Sequence, residues 1–413
     1  MLNFITGGVC AAQGFRAGGI HVGVKTHAAW KKDVALIVSD EDCACAAVYT
    51  KNAVKAAHIH VDKRHLADGK ARAAVINSGN ANACAPMGEE NAERVCAAAG
   101  KALGCRPEDV VVAATGVIGQ TLNVAVIEQG MPELCAAAAH TAAGSDAAAH
   151  AIMTTDTCPK HGSVSFSGDG IGYPGVTFTV GGMCKGAGMI MPIMATMIAV
   201  ITTDAPLAAP DLSQALTAAV NKSFNKVTVD SDTSTNDTCA VLANGLAGNT
   251  LIEWKDGDYE IFVAALDHVC RYLARSIAAD GEGCTKLITC LMSGARSEES
   301  AERLGKSGGG SSLGKAAMFG ADANWGRVLC AMGYSKAPFR PEHVDVTFRS
   351  AAGELLVCKQ GEAVDFDEAK AKEVLSQKEV IIAVDLHEGE DSAECWGCDL
   401  TYDYVKINGD YRT

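Results

Sequence analysis

Residues 185–204 have the sequence K-G-A-G-M-I-M-P-I-M-A-T-M-I-A-V-I-T-T-D, an apolar run that should be buried. The run nevertheless contains a lysine, closely spaced glycine and proline breaks, and a single threonine, Thr196, in its middle. Thr196 follows Ala195, and a small residue before a hydroxyl suits cleavage of the backbone. If the chain is cut between them, the new α-amino group lies beside the hydroxyl of Thr196 and can act as its base. A threonine in an apolar strand is also typical of a buried core residue, so the pattern alone leaves both interpretations open.

Length and composition predict a globular protein with a substantial core. The chain has 413 residues, a length that favours two or three domain-sized units, and its 43 glycines indicate many tight turns. A net charge of −14 argues against nucleic acid or an anionic membrane as a partner. The first residues lack the basic region and long apolar core of a secretory signal. The apolar run at 189–202 is interrupted by Pro192 and is shorter than the ~20 residues of a membrane span. We therefore expect a cytoplasmic protein.

The seventeen cysteines are scattered through apolar segments, where they are typical of small buried hydrophobes. The only C-x-x-C motif joins Cys395 and Cys398, and a redox site there is an alternative, although no βαβ pattern surrounds it. A zinc site would need a second ligand pair near Cys43 and Cys45, and none is evident. We predict no metal site.

Strand-like and helix-like segments alternate along the chain, which favours an α/β fold built from layers with mixed sheets. Strands are predicted at residues 34–39, 73–77, 110–114 and 176–181. Helices are predicted at residues 89–103, 131–153, 211–224 and 367–378, with a hairpin around Gly361. Residues 297–314 are predicted to form a helix that leads into a glycine-rich loop. No internal repeat is visible.

Two polar motifs have candidate roles in catalysis or binding. Residues 114–120, A-T-G-V-I-G-Q, place a Thr-Gly pair after a strand, where a hydroxyl and a backbone N–H can stabilise an oxyanion. A plain turn at the end of a strand is the alternative. Residues 154–157, T-T-D-T, suit the binding of a polar amino-acid substrate, and they would equally suit the end of a helix.

Two other motifs are excluded as ion or nucleotide sites. Residues 230–238, D-S-D-T-S-T-N-D-T, suggest a calcium loop, but Thr235 occupies the glycine position and Val241 the final acidic position. Residues 309–315 fit the spacing of a P-loop, but Ala316 replaces the hydroxyl residue that holds magnesium and no buried strand precedes the motif. The asparagine-rich residues 77–82 are predicted to form a structured turn.

Taken together, the motifs resemble the bifunctional ornithine acetyltransferase / N-acetylglutamate synthase (ArgJ) family of arginine biosynthesis. The resemblance runs from end to end of the chain. Its blocks are G-F-R-A-G-G-I (14–20), I-N-S-G-N-A-N-A-C (76–84), A-T-G-V-I-G-Q (114–120), I-M-T-T-D-T (152–157), K-G-A-G-M-I (185–190), M-A-T-M (194–197), V-D-S-D-T-S-T-N-D (229–237), G-E-G-C-T-K (281–286), F-G-A-D-A-N-W-G-R (319–327) and the ending D-L-T-Y-D-Y-V-K-I-N-G-D-Y-R-T.

The resemblance implies a fold, a cleavage and a reaction. The fold would be ArgJ/DmpA-like, with mixed sheets sandwiched by helices. The chain would cleave itself between Ala195 and Thr196 into an α chain (1–195) and a β chain (196–413) that remain together, with an α2β2 heterotetramer expected. Thr196 would attack the acetyl group of N-acetylornithine, release ornithine, and pass the acetyl group to glutamate in a ping-pong mechanism.

The resemblance also assigns site residues. The oxyanion pair would be Thr115 and Gly116, and the substrate-binding residues would be Thr155, Lys185, Thr196, Glu282, Asn408 and Thr413. A lysine can hold a substrate carboxylate and an acid can hold a substrate ammonium group. No cofactor is expected, and acetyl-CoA is a candidate co-substrate that no sequence feature settles.

Three stretches depart from the family pattern: Met191 and Ile193 flank Pro192, glycines occupy 308–310 and 314, and Ala85 precedes a proline. They concern local stability and cleavage rate more than the reaction. An N-terminal-nucleophile amidase or aminopeptidase, which would pass the acyl group to water, is the alternative enzyme. A nucleotide-binding or structural protein would instead remain a single uncut chain.

Overall fold

The computed structural model describes residues 2–26, 28, 30–169, 173–191, 197–248, 251–252 and 257–410. Within these residues the chain forms sixteen strands and eleven α-helices. The strands are β1 (Asn3–Ile5), β2 (Phe15–Ile20), β3 (Val34–Tyr49), β4 (Lys70–Asn80), β5 (Val110–Val117), β6 (Lys160–Ser167), β7 (Thr177–Lys185), β8 (Ile198–Thr203), β9 (Val227–Thr228), β10 (Thr238–Ala243), β11 (Leu287–Ala295), β12 (Asp345–Ser350), β13 (Gly353–Lys359), β14 (Glu362–Ala363), β15 (Glu379–Asp385) and β16 (Asp391–Cys398). The helices are α1 (Ala57–His65), α2 (Gly88–Leu103), α3 (Val124–Ala137), α4 (Ala142–Ile152), α5 (Ala209–Lys222), α6 (Gly257–Ala279), α7 (Glu298–Gly310), α8 (Ser312–Phe319), α9 (Trp325–Gly333), α10 (Glu368–Leu375) and α11 (Tyr402–Asp410). Among the described residues, none of the helices combines the length and the apolar character needed to cross a membrane.

The apolar run at residues 185–204 contributes β8, a central strand of the first sheet. The described strands of this sheet have the order β1-β6-β7-β8-β10-β3-β4-β5, and β2 also pairs with β3. The pairs β8–β10 and β4–β5 are parallel, so the sheet is mixed. All six residues of β8 are buried. A central strand that is covered on both faces needs a continuous apolar sequence, which explains the lack of polar alternation in this run.

Helices cover both faces of this sheet and separate it from a second sheet. On one face, α4 places Ile152 in the same core as Val200 of β8. On the other face, α5 and α6 contribute to a core that contains Phe262 and Ile201. This core also contains Trp396 of β16, so α5 and α6 lie between the two sheets. The predicted α/β architecture, with mixed sheets sandwiched by helices, is confirmed.

The second sheet has the order β14-β13-β12-β15-β11-β16-β9 among the described strands, with β11–β15 and β16–β9 parallel. Its outer face packs against α7 to α10 in a core that includes Leu304, Met332, Val374 and Cys395. Trp396, the next residue after Cys395, points to the inner core instead. This alternation is expected because successive side chains of a strand face opposite sides of the sheet.

The parts of the chain before and after residue 196 share the first sheet. Strands β1 to β7 precede this position, whereas β8 and β10 follow it and lie in the middle of the sheet. Lys185 at the end of β7 pairs with Ile198 at the start of β8. Two chains ending at 195 and beginning at 196 would therefore remain joined by a continuous sheet. The division itself remains a prediction.

The helix predicted at residues 131–153 is two helices, so this prediction was wrong in its extent. The Ala-rich sequence favours helix throughout, but Ala139 forms a β-bridge with Ala17 and interrupts it. The second helix then begins at Ala142, after the N-cap Thr141, whose side chain accepts a hydrogen bond from the backbone N–H of Gly144. The bridge between Ala139 and Ala17 and the cap at Thr141 thus outweigh the helix preference of the Ala-rich sequence.

The loop predicted at the end of residues 297–314 is also wrong. Helix α7 continues through Gly310, and α8 begins at Ser312. Ala301 and Leu304 of α7 are buried in the outer core of the second sheet. Packing of α7 against the second sheet therefore stabilises a helix that its glycines disfavour.

Candidate active site

Six of the predicted site residues line one cavity at the ends of β5 and β7. Its lining consists of Thr115, Gly116, Ile118, Thr154, Thr155, Lys185, Gly188, Met189, Ser234, Thr235, Asn236, Glu282 and Asn408. The predicted residues Ala195, Thr196 and Thr413 lie outside the described residues, as do Pro192 and Ile193. The structure thus brings together residues that are separated by up to almost three hundred positions in the sequence.

The Thr-Gly pair lies where β5 runs parallel to β4. Gly116 has φ of +130°, and a Cβ atom there would lie 2.3 Å from the carbonyl carbon of Gly79, so only glycine fits. Thr115 is buried beside it. The side-chain amide of Asn236 donates hydrogen bonds to the carbonyls of Ala114, at 2.7 Å, and Ala81, at 2.6 Å. These contacts fix the strand end that presents the pair to the cavity.

Lys185 is a buried cation at the edge of the cavity. It is the last residue of β7 and only 3% exposed. Among the residues that the structure describes, its ammonium group has no hydrogen-bond or salt-bridge partner. Burial lowers its pKa, and the carboxylate of Asp156 acts in the opposite direction. A buried charge without a direct partner is costly, so this position favours an anionic ligand.

Asp156 connects three segments of the site. Its carboxylate accepts hydrogen bonds from the backbone N–H groups of Gly186, at 2.7 Å, and Thr154, at 3.0 Å. It also contacts the ammonium group of Lys160 at 2.7 Å, which in turn contacts Asp280 at 2.5 Å. Asp156, the acid of the T-T-D-T motif, therefore interacts with protein groups and is not part of the cavity lining. The sequence analysis did not identify Lys160 and Asp280, because no motif around them distinguishes them from other lysines and aspartates.

The charge state of Asp156 follows from its neighbours. Burial alone would raise its pKa, but the ammonium groups of Lys185 and Lys160 outweigh this effect and lower the pKa to about 2. Asp156 is therefore ionised at neutral pH. Its negative charge opposes the effect of burial on the pKa of Lys185 and so favours the charged form of the lysine.

Glu282 places a carboxyl group in the same cavity as Lys185. Its backbone N–H donates to the carbonyl of Ala187 at 2.8 Å, and its Oε2 accepts a hydrogen bond from the side-chain amide of Asn408 at 2.7 Å. A Cβ atom at Gly188 would lie 2.3 Å from Cδ of Glu282. The glycine of the K-G-A-G motif thus makes room for the acid.

Replacing Gly188 with alanine is expected to displace the Glu282 carboxyl group and to raise the KM for a substrate bound in this cavity by about 10- to 100-fold. The protein should still fold, because the atoms in conflict are at the end of a flexible side chain. Steady-state kinetics and a thermal melt check both points. Gly333→Ala is the matched control, since no atom lies within 4 Å of a Cβ there. Equal KM values for the two variants would contradict this role of Gly188.

The polar run at 230–238 borders the segment that contains Thr196. The carboxylate of Asp230 accepts hydrogen bonds from the N–H groups of Met189, at 2.6 Å, and Ile190, at 2.8 Å. Asp237 accepts from the N–H of Met197 at 3.1 Å. The spacing argued against a calcium loop, but the sequence did not reveal that these acids accept hydrogen bonds from residues on both sides of the segment 192–196.

The Thr115–Gly116 pair, a buried lysine and a glutamate thus line one cavity. These groups suit a small amino-acid derivative that carries a carboxylate, an ammonium group and a carbonyl. The roles of the individual residues remain predictions.

The chain is similar to known proteins over most or all of its length. The model of the ArgJ family matches residues 16–413. The arginine biosynthesis bifunctional protein ArgJ of Symbiobacterium thermophilum is 49% identical over 413 residues, covering 100% of both chains. The ArgJ protein of Caldanaerobacter subterraneus subsp. tengcongensis is 45% identical over 413 residues, again covering 100% of both. Among solved structures, ArgJ from Bacillus halodurans is 44% identical, covers 51% of this chain and 98% of its own, and has a TM-score of 0.49.

Proposed function

Because this chain belongs to the ArgJ family, we propose that this acetyltransferase of arginine biosynthesis moves the acetyl group of N2-acetyl-L-ornithine to L-glutamate. The observation that carries the proposal is the buried ammonium group of Lys185, which shares one cavity with Glu282 and the Thr115–Gly116 pair. These groups have the charges and donors that an N-acetylated diamino acid requires.

In the first half-reaction, Lys185 binds the substrate α-carboxylate and Glu282 binds the side-chain ammonium group. The chain has been cut between Ala195 and Thr196, so that Thr196 carries a free α-amine. This amine takes the hydroxyl proton while the oxygen attacks the acetyl carbon. The oxyanion is stabilised by the hydroxyl of Thr115 and the N–H of Gly116.

The tetrahedral intermediate then collapses. The proton passes from the α-amine of Thr196 to the leaving nitrogen, ornithine departs, and the acetyl group remains as an ester on Thr196. Glutamate enters the same cavity, and its amine attacks the ester to give N-acetylglutamate and the free hydroxyl. Asn408 supports Glu282 through the hydrogen bond between them, and Thr155 lines the cavity for both substrates. We assign Thr413 to substrate binding by the family resemblance alone.

We also propose how the two chains assemble, where the protein is located and which second acetyl donor it uses. The two chains, 1–195 and 196–413, are proposed to remain associated, because strands from both parts share the first sheet. An α2β2 assembly, a cytoplasmic location and acetyl-CoA as a second acetyl donor are further proposals from the family resemblance. No cofactor enters the reaction as proposed.

The dependence of ornithine release on glutamate tests the transfer. Incubation with N-acetylornithine alone should give at most one equivalent of ornithine per site, because the acetyl-enzyme accumulates. Addition of glutamate should restore continuous release. Rapid multiple turnovers without glutamate would instead identify an amidase or aminopeptidase, in which water is the acceptor.

A further inference from the structure

Two cysteine thiols lie together directly behind the candidate site. Cys284 follows Glu282 by two residues and is partly exposed, whereas Cys398 ends β16 and is buried. The two thiols are close enough for each to be the largest influence on the pKa of the other, and the Sγ atom of Cys284 donates a hydrogen bond to the carbonyl of Ala279 at 3.3 Å. The Nζ atom of Lys315 lies 3.5 Å from the Sγ atom of Cys398.

The surroundings of Lys315 require a negative partner. The side chain is only 4% exposed, and within the part of the chain that the structure describes it forms no salt bridge to a carboxylate. Its contacts are the carbonyl of Val229 and the sulfur of Cys398. A buried ammonium group is stabilised by a thiolate, and a nearby cation is what converts a cysteine to the reactive form.

The protonation of the pair agrees with this geometry. The neighbouring thiol of Cys284 is the main cause that lowers the pKa of Cys398; burial opposes this effect, and the ammonium group of Lys315 assists it. The proximity of Cys398, together with burial, raises the pKa of Cys284. Cys398 is therefore the more acidic thiol of the pair, and Cys284 the one that holds its proton more tightly.

The backbone keeps the two cysteines next to each other. Asp399 accepts hydrogen bonds from the N–H groups of Thr285, at 2.8 Å, and Lys286, at 3.0 Å. The hydroxyl of Thr401 donates to the carbonyl of Gly283 at 2.6 Å. The residues beside Cys284 are thus tied to those that follow Cys398. A Cβ atom at Gly281 would lie 2.6 Å from Sγ of Cys398, so the turn also leaves room for the sulfur.

The structure changes the pairing that the C-x-x-C motif suggests. Cys395 contributes to the outer core of the second sheet and donates a hydrogen bond to the carbonyl of Glu302. Cys398 faces the opposite core. The sulfur that can meet Cys398 is therefore that of Cys284, not that of Cys395.

We propose that Cys284 and Cys398 form an oxidant-sensitive dithiol site whose oxidation to a disulfide displaces Glu282. The oxidant is a small peroxide. The thiolate of Cys398 attacks one peroxide oxygen, the O–O bond breaks, and the hydroxide that leaves takes the proton of Cys284 to form water. The new thiolate of Cys284 attacks the sulfenic sulfur, the S–S bond forms, and a second hydroxide leaves and takes a proton from solvent. Two electrons pass from the two sulfurs to the peroxide.

Oxidation would alter the candidate site through the turn at 281–284. Formation of an S–S bond draws Cys284 towards β16, and the N–H of Glu282 is held only two residues away by the carbonyl of Ala187. The carboxyl group of Glu282 is expected to shift, and the KM for the acetyl donor to rise at least about fivefold. This kinetic effect rests on the proposed function, whereas the disulfide itself does not.

Peptide mapping after peroxide treatment tests the proposal. The purified full-length protein is treated with hydrogen peroxide, free thiols are alkylated, and peptides are analysed without reduction. We expect a main cross-link between Cys284 and Cys398 that dithiothreitol reverses, and that is absent in Cys284→Ala. Lys315→Met should slow its formation at least about tenfold, because the thiolate loses its cation. Cys330→Ala, which removes an exposed cysteine on α9, is the control and should form the cross-link normally.

Two results would overturn parts of this proposal, and a third would separate it from the proposed function. Alkylation of both Cys284 and Cys398 under conditions that oxidise Cys330 would overturn the dithiol site. A Cys284–Cys398 cross-link with an unchanged KM for the acetyl donor would overturn the displacement of Glu282. If the untreated protein has no transferase activity at all, the proposed function fails, while the mapping result still decides the dithiol site.

Discussion

Replacing Thr196 with alanine is expected to leave a single uncut chain of 413 residues and to reduce acetyl transfer by at least about 10⁴-fold. The variant loses both the hydroxyl that attacks the backbone and the hydroxyl that accepts the acetyl group. It should nevertheless fold, since a small side chain replaces a small one. A denaturing gel, intact mass spectrometry and an ornithine-release assay measure these effects.

Two controls separate this effect from general damage to the segment. Thr196→Ser retains a hydroxyl and should still be cut, with residual transfer. Thr202→Val removes a buried hydroxyl on β8 that bonds to the carbonyl of Val9, and it should also be cut normally. Two fragments from Thr196→Ala, with an N-terminus at residue 196, would refute the proposed nucleophile.

Lys185→Met is expected to reduce kcat/KM for N-acetylornithine by about 10- to 150-fold, because a hydrogen bond to a charged group contributes about 1.5–3 kcal/mol. The effect on stability should have the opposite sign. Lys185 is buried without a direct partner among the described residues, so an apolar side chain of similar length removes a desolvation cost. Steady-state kinetics and thermal unfolding of the same preparation test the two effects together.

A second buried lysine provides the control. Lys226 is 5% exposed and forms a salt bridge with Glu298 at 3.0 Å, away from the cavity lining. Lys226→Met should lower the unfolding temperature and leave kcat/KM unchanged. If Lys185→Met also lowers stability while substrate affinity is unaffected, Lys185 has a structural role and the proposed carboxylate site is wrong.

Local sequence patterns were sufficient to predict the layers of the fold. The strand at 110–114 and the helix at 89–103 were found with small errors at their ends, because apolar runs and helix formers act within a few residues. The division between α3 and α4 was missed because it depends on the contact of Ala139 with Ala17, 122 positions away.

The candidate site shows the same distinction between local and distant contacts. Thr115 was singled out by a Thr-Gly pair after a predicted strand, and Lys185 was assigned by the family resemblance; both line the cavity. Asp280 was not identified, since its role depends on Lys160, 120 positions away, and an acid before a glycine has no local signature. Asp237 was assigned to a rejected calcium loop. Only the fold shows that it meets the N–H of Met197.

The acetyl-enzyme is the species that tests the central claim most directly. The cut protein is incubated with N-acetylornithine in the absence of glutamate, quenched in acid, and analysed by intact mass spectrometry and peptide mapping. We predict that the fragment 196–413 gains the mass of one acetyl group on Thr196 and loses it when glutamate is added. An unmodified fragment during turnover, or an acetyl group on any other residue, would contradict the account.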